Sequence, residues 1–337
     1  MKIVHLLLTH SFAGTERHAI ELANAQAAEH EVTMILHRRA AEDRPNALAH
    51  RLDPRVRQVL VGGWGPLAIW AARRALRRLK PDVAHAHLSH ACRALHGLKG
   101  LCLRVATLHI HYKPQQHRDL DALIAIAPWQ LDAIPAAQRA HTVQIDNWTA
   151  APPFDAEARR RVRAELGIAD EVFLIGALGR AEASKGLDLL IDAFVEADLP
   201  QTRLAIVGGG RDWEGLRQRA PAEVLMPGFV AQPQQWFSAF DAFVSAARSE
   251  PFGLVFLEAM SAGLPVLATR SQGGEHFAAL IERPLVACND AAALRQALQQ
   301  LRAEQPVRRA YDLSAFAQDA KVAEVEAFYR RELAAPR

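Results

Sequence analysis

The stretch SEPFGLVFLEAMSAGLPVLATR, Ser249 to Arg270, carries two carboxylates, Glu250 and Glu258, with seven residues between them and an apolar run around the second. Pro251, Phe252 and Gly253 break the chain. The pattern predicts a helix from about Leu254 to Ala262, then a strand in PVLATR. The free backbone N–H groups and positive dipole end of a helix starting at Gly253 and Leu254 make an anion site. Glu258, about one turn further in, only accepts hydrogen bonds when ionised, which suits sugar hydroxyls. A plainer reading stands beside this one: Glu250 as a charge complement to the helix start and Glu258 as a solvated helical residue.

Working outward, short β-rich runs alternate with helical runs along the chain. KIVHLLL is followed by the helical ERHAIELANAQAAE, then EVTMIL, a basic helix, DVAHAHL, VATLHIH and DALIAIA. The alternation restarts after residue 170 with EVFLIGALG, GLDLLIDAFVEA, TRLAIVGGG and AFVSAA. This is the pattern of parallel sheets flanked by helices, so the fold class is α/β with two doubly wound halves. A chain of 337 residues also favours two domains over one core. Asn147 to Pro153 has linker composition, and Asp155 to Leu166 reads as a short charged helix. Ligands of open α/β sheets sit beyond the carboxyl ends of the strands, so two such halves facing each other would enclose a cleft.

Composition excludes several classes. Half the residues are hydrophobic, yet charge or proline interrupts every apolar run before the ~20 residues a membrane span needs. The chain opens directly on KIVHLLL without the segments of a signal peptide, so a soluble, cytoplasmic protein is expected. Cys92, Cys102 and Cys288 lack zinc spacing and are too few for a disulfide framework. The net charge of +3 is unevenly spread: residues 1 to 150 hold 19 Lys plus Arg against 12 Asp plus Glu, the remainder 21 against 25. A basic first half argues for a local acidic partner and against general nucleic-acid binding.

The loop GALGRAEASKG follows a strand and precedes a helix, placing Arg180 and Lys185 together. A guanidinium fork and an ammonium point charge suit a diphosphate, although two solvated surface cations would read the same way. IVGGGR, Ile206 to Arg211, is a second glycine-rich turn after a strand. Together with Gly228-Phe229 and the Glu250/Glu258 pair, GRAEASKG and IVGGG resemble, in order and spacing, the C-terminal half of the retaining glycosyltransferases of family four. SFAGTERHAIELA, PDVAHAHL, ATLHIHYK and DALIAIA resemble the N-terminal half of the same family.

The resemblance implies the GT-B fold: an acceptor-binding domain at residues 1–150, a donor-binding domain at 165–318 and a final helix, within 319–337, crossing back to the first domain. It implies transfer of a sugar from a nucleotide-diphosphate donor to a glycan or glycolipid with retention, and no cofactor or metal. Gly14 would let the backbone approach the donor phosphates and His109 would face the transferred sugar. Arg180 and Lys185 would bind the diphosphate, with Gly253 and Leu254 at the helix start. Glu258 would bind the ribose, and Glu250 the sugar hydroxyls. The sequence departs from the family at Ala13, where a second glycine is common, at Ala127, which replaces a serine, and at Glu275, which follows its glycines directly.

Other readings remain open. His85/His87 and His109/His111 form two His-x-His pairs, and alternate strand residues share a face, so the pairs could serve a metal-dependent hydrolase. A nucleotide-sugar epimerase or an inactive binding protein could use the same fold. The helix PLAIWAARRALRRLK sets Ile69, Ala72, Leu76 and Leu79 against Arg73, Arg74, Arg77 and Arg78. It is either a packed helix with a solvated basic side or a dock for anionic lipid, which would make the protein peripheral on the inner face of a membrane.

Overall fold

The computed structural model describes residues 1–10, 12–44 and 47–335. Its contacts divide the chain into two compact units, one of Met1–Trp148 with Phe316–Arg337 and one of Thr149–Ala315.

The first unit is built on a seven-stranded sheet: β1 (Lys2–Leu7), β2 (Glu31–His37), β3 (Arg57–Val61), β4 (Val83–His87), β5 (Leu103–Leu108), β6 (Ala122–Ala125) and β7 (Thr142–Gln144). The order is β3-β2-β1-β4-β5-β6-β7, and every pairing is parallel. A parallel sheet is covered on both faces, which explains near-continuous apolar strands. On one face Val4, Leu6, Ala84, Ala86 and Ala106 pack with Ala72 and Leu76 of the Pro66–Leu79 helix. On the other, Ile3, Val83, Leu103 and Val105 pack with Val325, Phe328 and Tyr329 of the Gln318–Ala334 helix.

The second unit has a five-stranded sheet: β8 (Phe173–Leu178), β9 (Thr202–Val207), β10 (Val224–Gly228), β11 (Ala242–Ser245) and β12 (Val266–Ala268), in the parallel order β10-β9-β8-β11-β12. The Ala156–Glu165 helix belongs to this unit. Asp155 caps its start, accepting from the Glu157 and Ala158 N–H groups. Arg163, 1% exposed, ties it down by donating to the carbonyls of Ala239, Ala169 and Val172 and to Asp241.

Strands β3, β7 and β10 go beyond the sequence reading. All three lie at sheet edges, where one side of the strand has no neighbour and the apolar signal is diluted. Leu60 on β3 is 45% exposed.

Candidate active site

In the second unit the loop after β8 ends in a short turn, Ala183–Lys185, followed by Gly186. Gly186 has φ +61°, and a Cβ there would lie 2.1 Å from the Ala246 carbonyl oxygen, so only glycine lets the loop press against the chain leaving β11. The backbone N–H groups of Arg248 and Ser249 both donate to the Ser184 carbonyl, at 2.8 and 3.1 Å. The Arg248 guanidinium grips Asp188 through both carboxylate oxygens at 2.7 Å and also donates to the Ala183 carbonyl. That bidentate pair holds the Asp188 carboxyl below its usual range.

These latches bring the loop to the Ser249–Gly253 segment. Lys185 Nζ donates to Glu250 Oε2 at 2.6 Å, with the two side chains only 22% and 13% exposed. Gly253 caps the Leu254–Ser261 helix at φ +93°, where a Cβ would meet the Phe256 ring at 2.3 Å. No side chain caps this helix start, and Glu250 lies against its cap residue Gly253. Glu258 is not solvated: it lies inside the same helix, 7% exposed. Arg180 stands on the same loop, largely exposed, and pairs with Glu182 at 2.9 Å.

Ser271–Gly274 completes this neighbourhood. The Gly273 N–H donates to the Glu250 carbonyl at 2.7 Å, and a Cβ on Gly273 would lie 2.3 Å from the Phe252 carbonyl oxygen. The glycines of IVGGG serve close packing too: Cβ atoms on Gly208 and Gly210 would strike the carbonyl oxygens of Gly179 and Ala181. Sequence reasoning missed Arg248, Asp188 and Gly273. The signal for Arg248 was a charge at the end of an apolar strand, two residues before Glu250.

The first unit offers different chemistry. His5 lies on β1, His85 and His87 on β4, Thr107 on β5, and His109 one residue beyond β5. The parallel register sets His5 beside His85 and His87 beside Thr107, and the two-residue period turns all of them to one face. His5 Nδ1 is 3.2 Å from His87 Nε2, and His87 Nδ1 is 3.0 Å from His109 Nε2. His5 Nε2 meets Gln26 Oε1 at 2.8 Å. His85 meets the Tyr329 hydroxyl and Thr107 Oγ1 at 2.6 and 2.8 Å. His18 stacks on Trp148 at 4.1 Å and meets the His109 ring edge-on. Burial lowers His5 to about 4 and His109 to about 3, and holds His18, His85 and His87 well below the ordinary imidazole value.

Gly14 is exposed and opens the Gly14–Gln26 helix, the element that also carries His18. The two His-x-His pairs do not converge, because His111 is exposed and packs edge-on against Trp129. A different trio, His5, His85 and His87, brings ring nitrogens within 4.8 Å of one another. All six of those nitrogens already have hydrogen-bond partners within the protein.

The Pro66–Leu79 helix buries Ala68, Ala72, Leu76 and Leu79. Arg73 is not part of a free basic face: it donates to the carbonyls of Ala94 and Arg93 at the end of the Ser89–Leu95 helix. Arg74, Arg77 and Arg78 are exposed, and so are Trp64, Leu67 and Trp70, at 62%, 67% and 56%. Among the described residues no helix is long and apolar enough to cross a membrane.

Two parallel, doubly wound units, one with a cation loop latched to a helix start, fit the GT-B fold. Residues 12–145 match Glycosyltransferase Family 4 and residues 171–304 match Glycosyl transferases group 1, and the chain belongs to this group of glycosyltransferases. It is 28% identical over 251 residues to the lipopolysaccharide core biosynthesis glycosyltransferase LpsD of Rhizobium meliloti, covering 71% of this chain and 70% of that one. It is 34% identical over 177 residues to mannosylfructose-phosphate synthase of Agrobacterium fabrum, which is 45% of this chain but 38% of the relative. The sucrose-phosphate synthase structure from Thermosynechococcus elongatus superposes with a TM-score of 0.81 over the whole of both chains, at 21% identity, and shows the shared fold.

Proposed function

We propose that the protein moves a sugar from a nucleoside diphosphate donor to a glycan or glycolipid, with retention of the anomeric configuration and without a metal ion. The second unit holds the donor and the first receives the acceptor. One observation carries this reading: Lys185 is fixed against Glu250 at the uncapped start of the helix that contains Glu258. In the free protein the ammonium and carboxylate neutralise each other. A bound diphosphate takes over Lys185, with Arg180 swinging in from its exposed position and the Leu254 N–H at the helix start. Glu250 is then released to the hydroxyls of the sugar, while Glu258 accepts from the ribose. Positive charge placed in advance at the departing diphosphate stabilises the charge that develops on it.

The acceptor is read as an anionic glycolipid at a membrane surface. Leu67, Trp70 and Trp64 would enter the interface while Arg74, Arg77 and Arg78 meet acidic headgroups. The relative LpsD, which by its name works in lipopolysaccharide core biosynthesis, supports the same class of acceptor.

The test is to incubate the protein with UDP- and GDP-sugars, with and without glycolipid acceptors and EDTA, and to assign the product anomer by NMR. Retained configuration in an acceptor-dependent product that survives EDTA is the expected result. Turnover of the donor to its epimer without acceptor, or activity that only a divalent ion restores, would overturn the proposal. Arg74, Arg77 and Arg78 changed together to Gln should remove salt-sensitive binding to vesicles rich in anionic lipid; a wild type that ignores such vesicles at low salt would refute the membrane role.

A further inference from the structure

The line of imidazoles in the first unit has a direction that hydrogen-bond counting fixes. A neutral imidazole has one N–H and one lone pair, so in a chain of neutral rings each ring donates at one nitrogen and accepts at the other. Burial keeps these rings neutral, with His5 at about 4 and His109 at about 3. Gln26, His5 and His87 have no exposed surface, so bulk water offers them no other partner; His109, at 8%, is the one member that reaches solvent.

The chain begins at Gln26 Oε1, an amide oxygen that only accepts. His5 therefore donates from Nε2 and accepts at Nδ1 from His87 Nε2. His87 in turn accepts at Nδ1 from His109 Nε2. What is left on His109 is an Nδ1 lone pair. The Gln26 amide is placed with its oxygen toward His5, and among the described residues its buried nitrogen has no hydrogen-bond partner. Tyr329 and Thr107 occupy the two ring nitrogens of His85, so the second branch does not join the chain to His109.

We propose that Gln26 is a positioning residue which, through His5 and His87, fixes His109 as the Nε2-protonated tautomer and so leaves Nδ1 as an acceptor for a hydroxyl of the transferred sugar. The tautomer follows from the first unit alone; the sugar contact rests on the function proposed above. The chain makes His109 insensitive to pH across the neutral range and stops it from acting as a donor at Nδ1.

The test uses the full chain labelled with 15N at histidine, with the His109 signals assigned from a His109→Gln variant. The wild type should show His5, His87 and His109 neutral and protonated at Nε2, with scalar coupling across the two N–H···N bonds joining them. In Gln26→Met, which removes the amide acceptor, His109 should gain a population protonated at Nδ1. Turnover should fall about tenfold, the worth of one net hydrogen bond, with free UDP or GDP bound as before. Gln26→Glu, which restores an acceptor oxygen, should restore the single tautomer. Wild-type His109 protonated at Nδ1 would mean the reversed chain and overturn the proposal, as would a Gln26→Met spectrum unchanged at His109. Stoichiometric Zn2+ displacing the His5, His85 and His87 signals would replace it with a metal site. Should Gln26→Met fail to fold, the wild-type tautomer and couplings decide alone. The predicted tautomer shift with turnover unchanged would overturn the sugar contact and leave the relay standing.

Discussion

The two units prepare polar groups in opposite ways. In the first, five imidazoles, His5, His18, His85, His87 and His109, are sunk into the sheet and its covering helices and kept neutral, so their information lies in which nitrogen carries the proton. In the second, Lys185 and Glu250 are partly open to solvent and paired with each other. A buried network of neutral rings holds its geometry because each ring is hydrogen-bonded to the next. A charged pair at the surface of a unit can exchange partners when a stronger anion arrives. For the proposed function, the neutral network would orient a sugar and the charged pair would capture and release a diphosphate.

Acid should separate the units most strongly. Each of these five histidines has a folded-state pKa below its unfolded value of 6.5, so the unfolded chain binds more protons between the two. The stability they contribute is intact above 6.5 and falls as pH drops below it, by roughly 1.4 kcal/mol per pH unit for each ring. Asp188, whose carboxyl is depressed, contributes stability lost only as pH falls below the ordinary carboxylate range. Hydrogen exchange at pH 7, 6 and 5 should show β1, β4 and β5 losing protection while β8 and β11 keep it; equal loss in both units would break the comparison.

Next in size, Lys185→Ala should lower turnover by about 10²–10³, the scale of removing one preorganised charge at a transition state. A fall of less than tenfold in steady-state kinetics would show that the diphosphate relies on other groups.

The central strands were legible in the sequence because burial on both faces leaves an unmistakable apolar run in KIVHLLL, EVTMIL and EVFLIGALG. Edge strands such as RQVLV were not, since their outward residues are free to be polar. Lys185, Glu250 and Gly253 could be proposed because they fall within local motifs. That Lys185 and Glu250 touch could not, because the contact depends on Arg248 gripping Asp188 sixty positions away. The imidazole chain showed only in part, as two His-x-His pairs: His5, 80 residues before His85, supplies the missing link, and His111 does not take part.

Smaller effects should divide the two glutamates. Glu258→Ala is expected to weaken free UDP or GDP by roughly 1.5–3 kcal/mol, a charged hydrogen bond to the ribose. Glu250→Ala should leave that affinity equal or tighter, because Lys185 is freed from its partner, while turnover falls. Equal weakening by both in calorimetry would refute the division. The smallest change should come from Arg248→Lys, which loses the fork onto Asp188 but keeps the charge. Both side chains are partly exposed, so a stability loss of roughly 0.5–1 kcal/mol by chemical denaturation is expected. A much larger loss would mean that the Arg248 fork outweighs the backbone bonds to Ser184 in holding this loop.

Calorimetric titration of UDP and GDP into wild type, Lys185→Ala and His109→Gln tests the donor assignment most directly. The account predicts that the nucleotide bound by the wild type is weakened at least tenfold by Lys185→Ala, as expected for a lost charged contact, and left unchanged by His109→Gln. Wild-type affinity in Lys185→Ala, or equal weakening in His109→Gln, would contradict it.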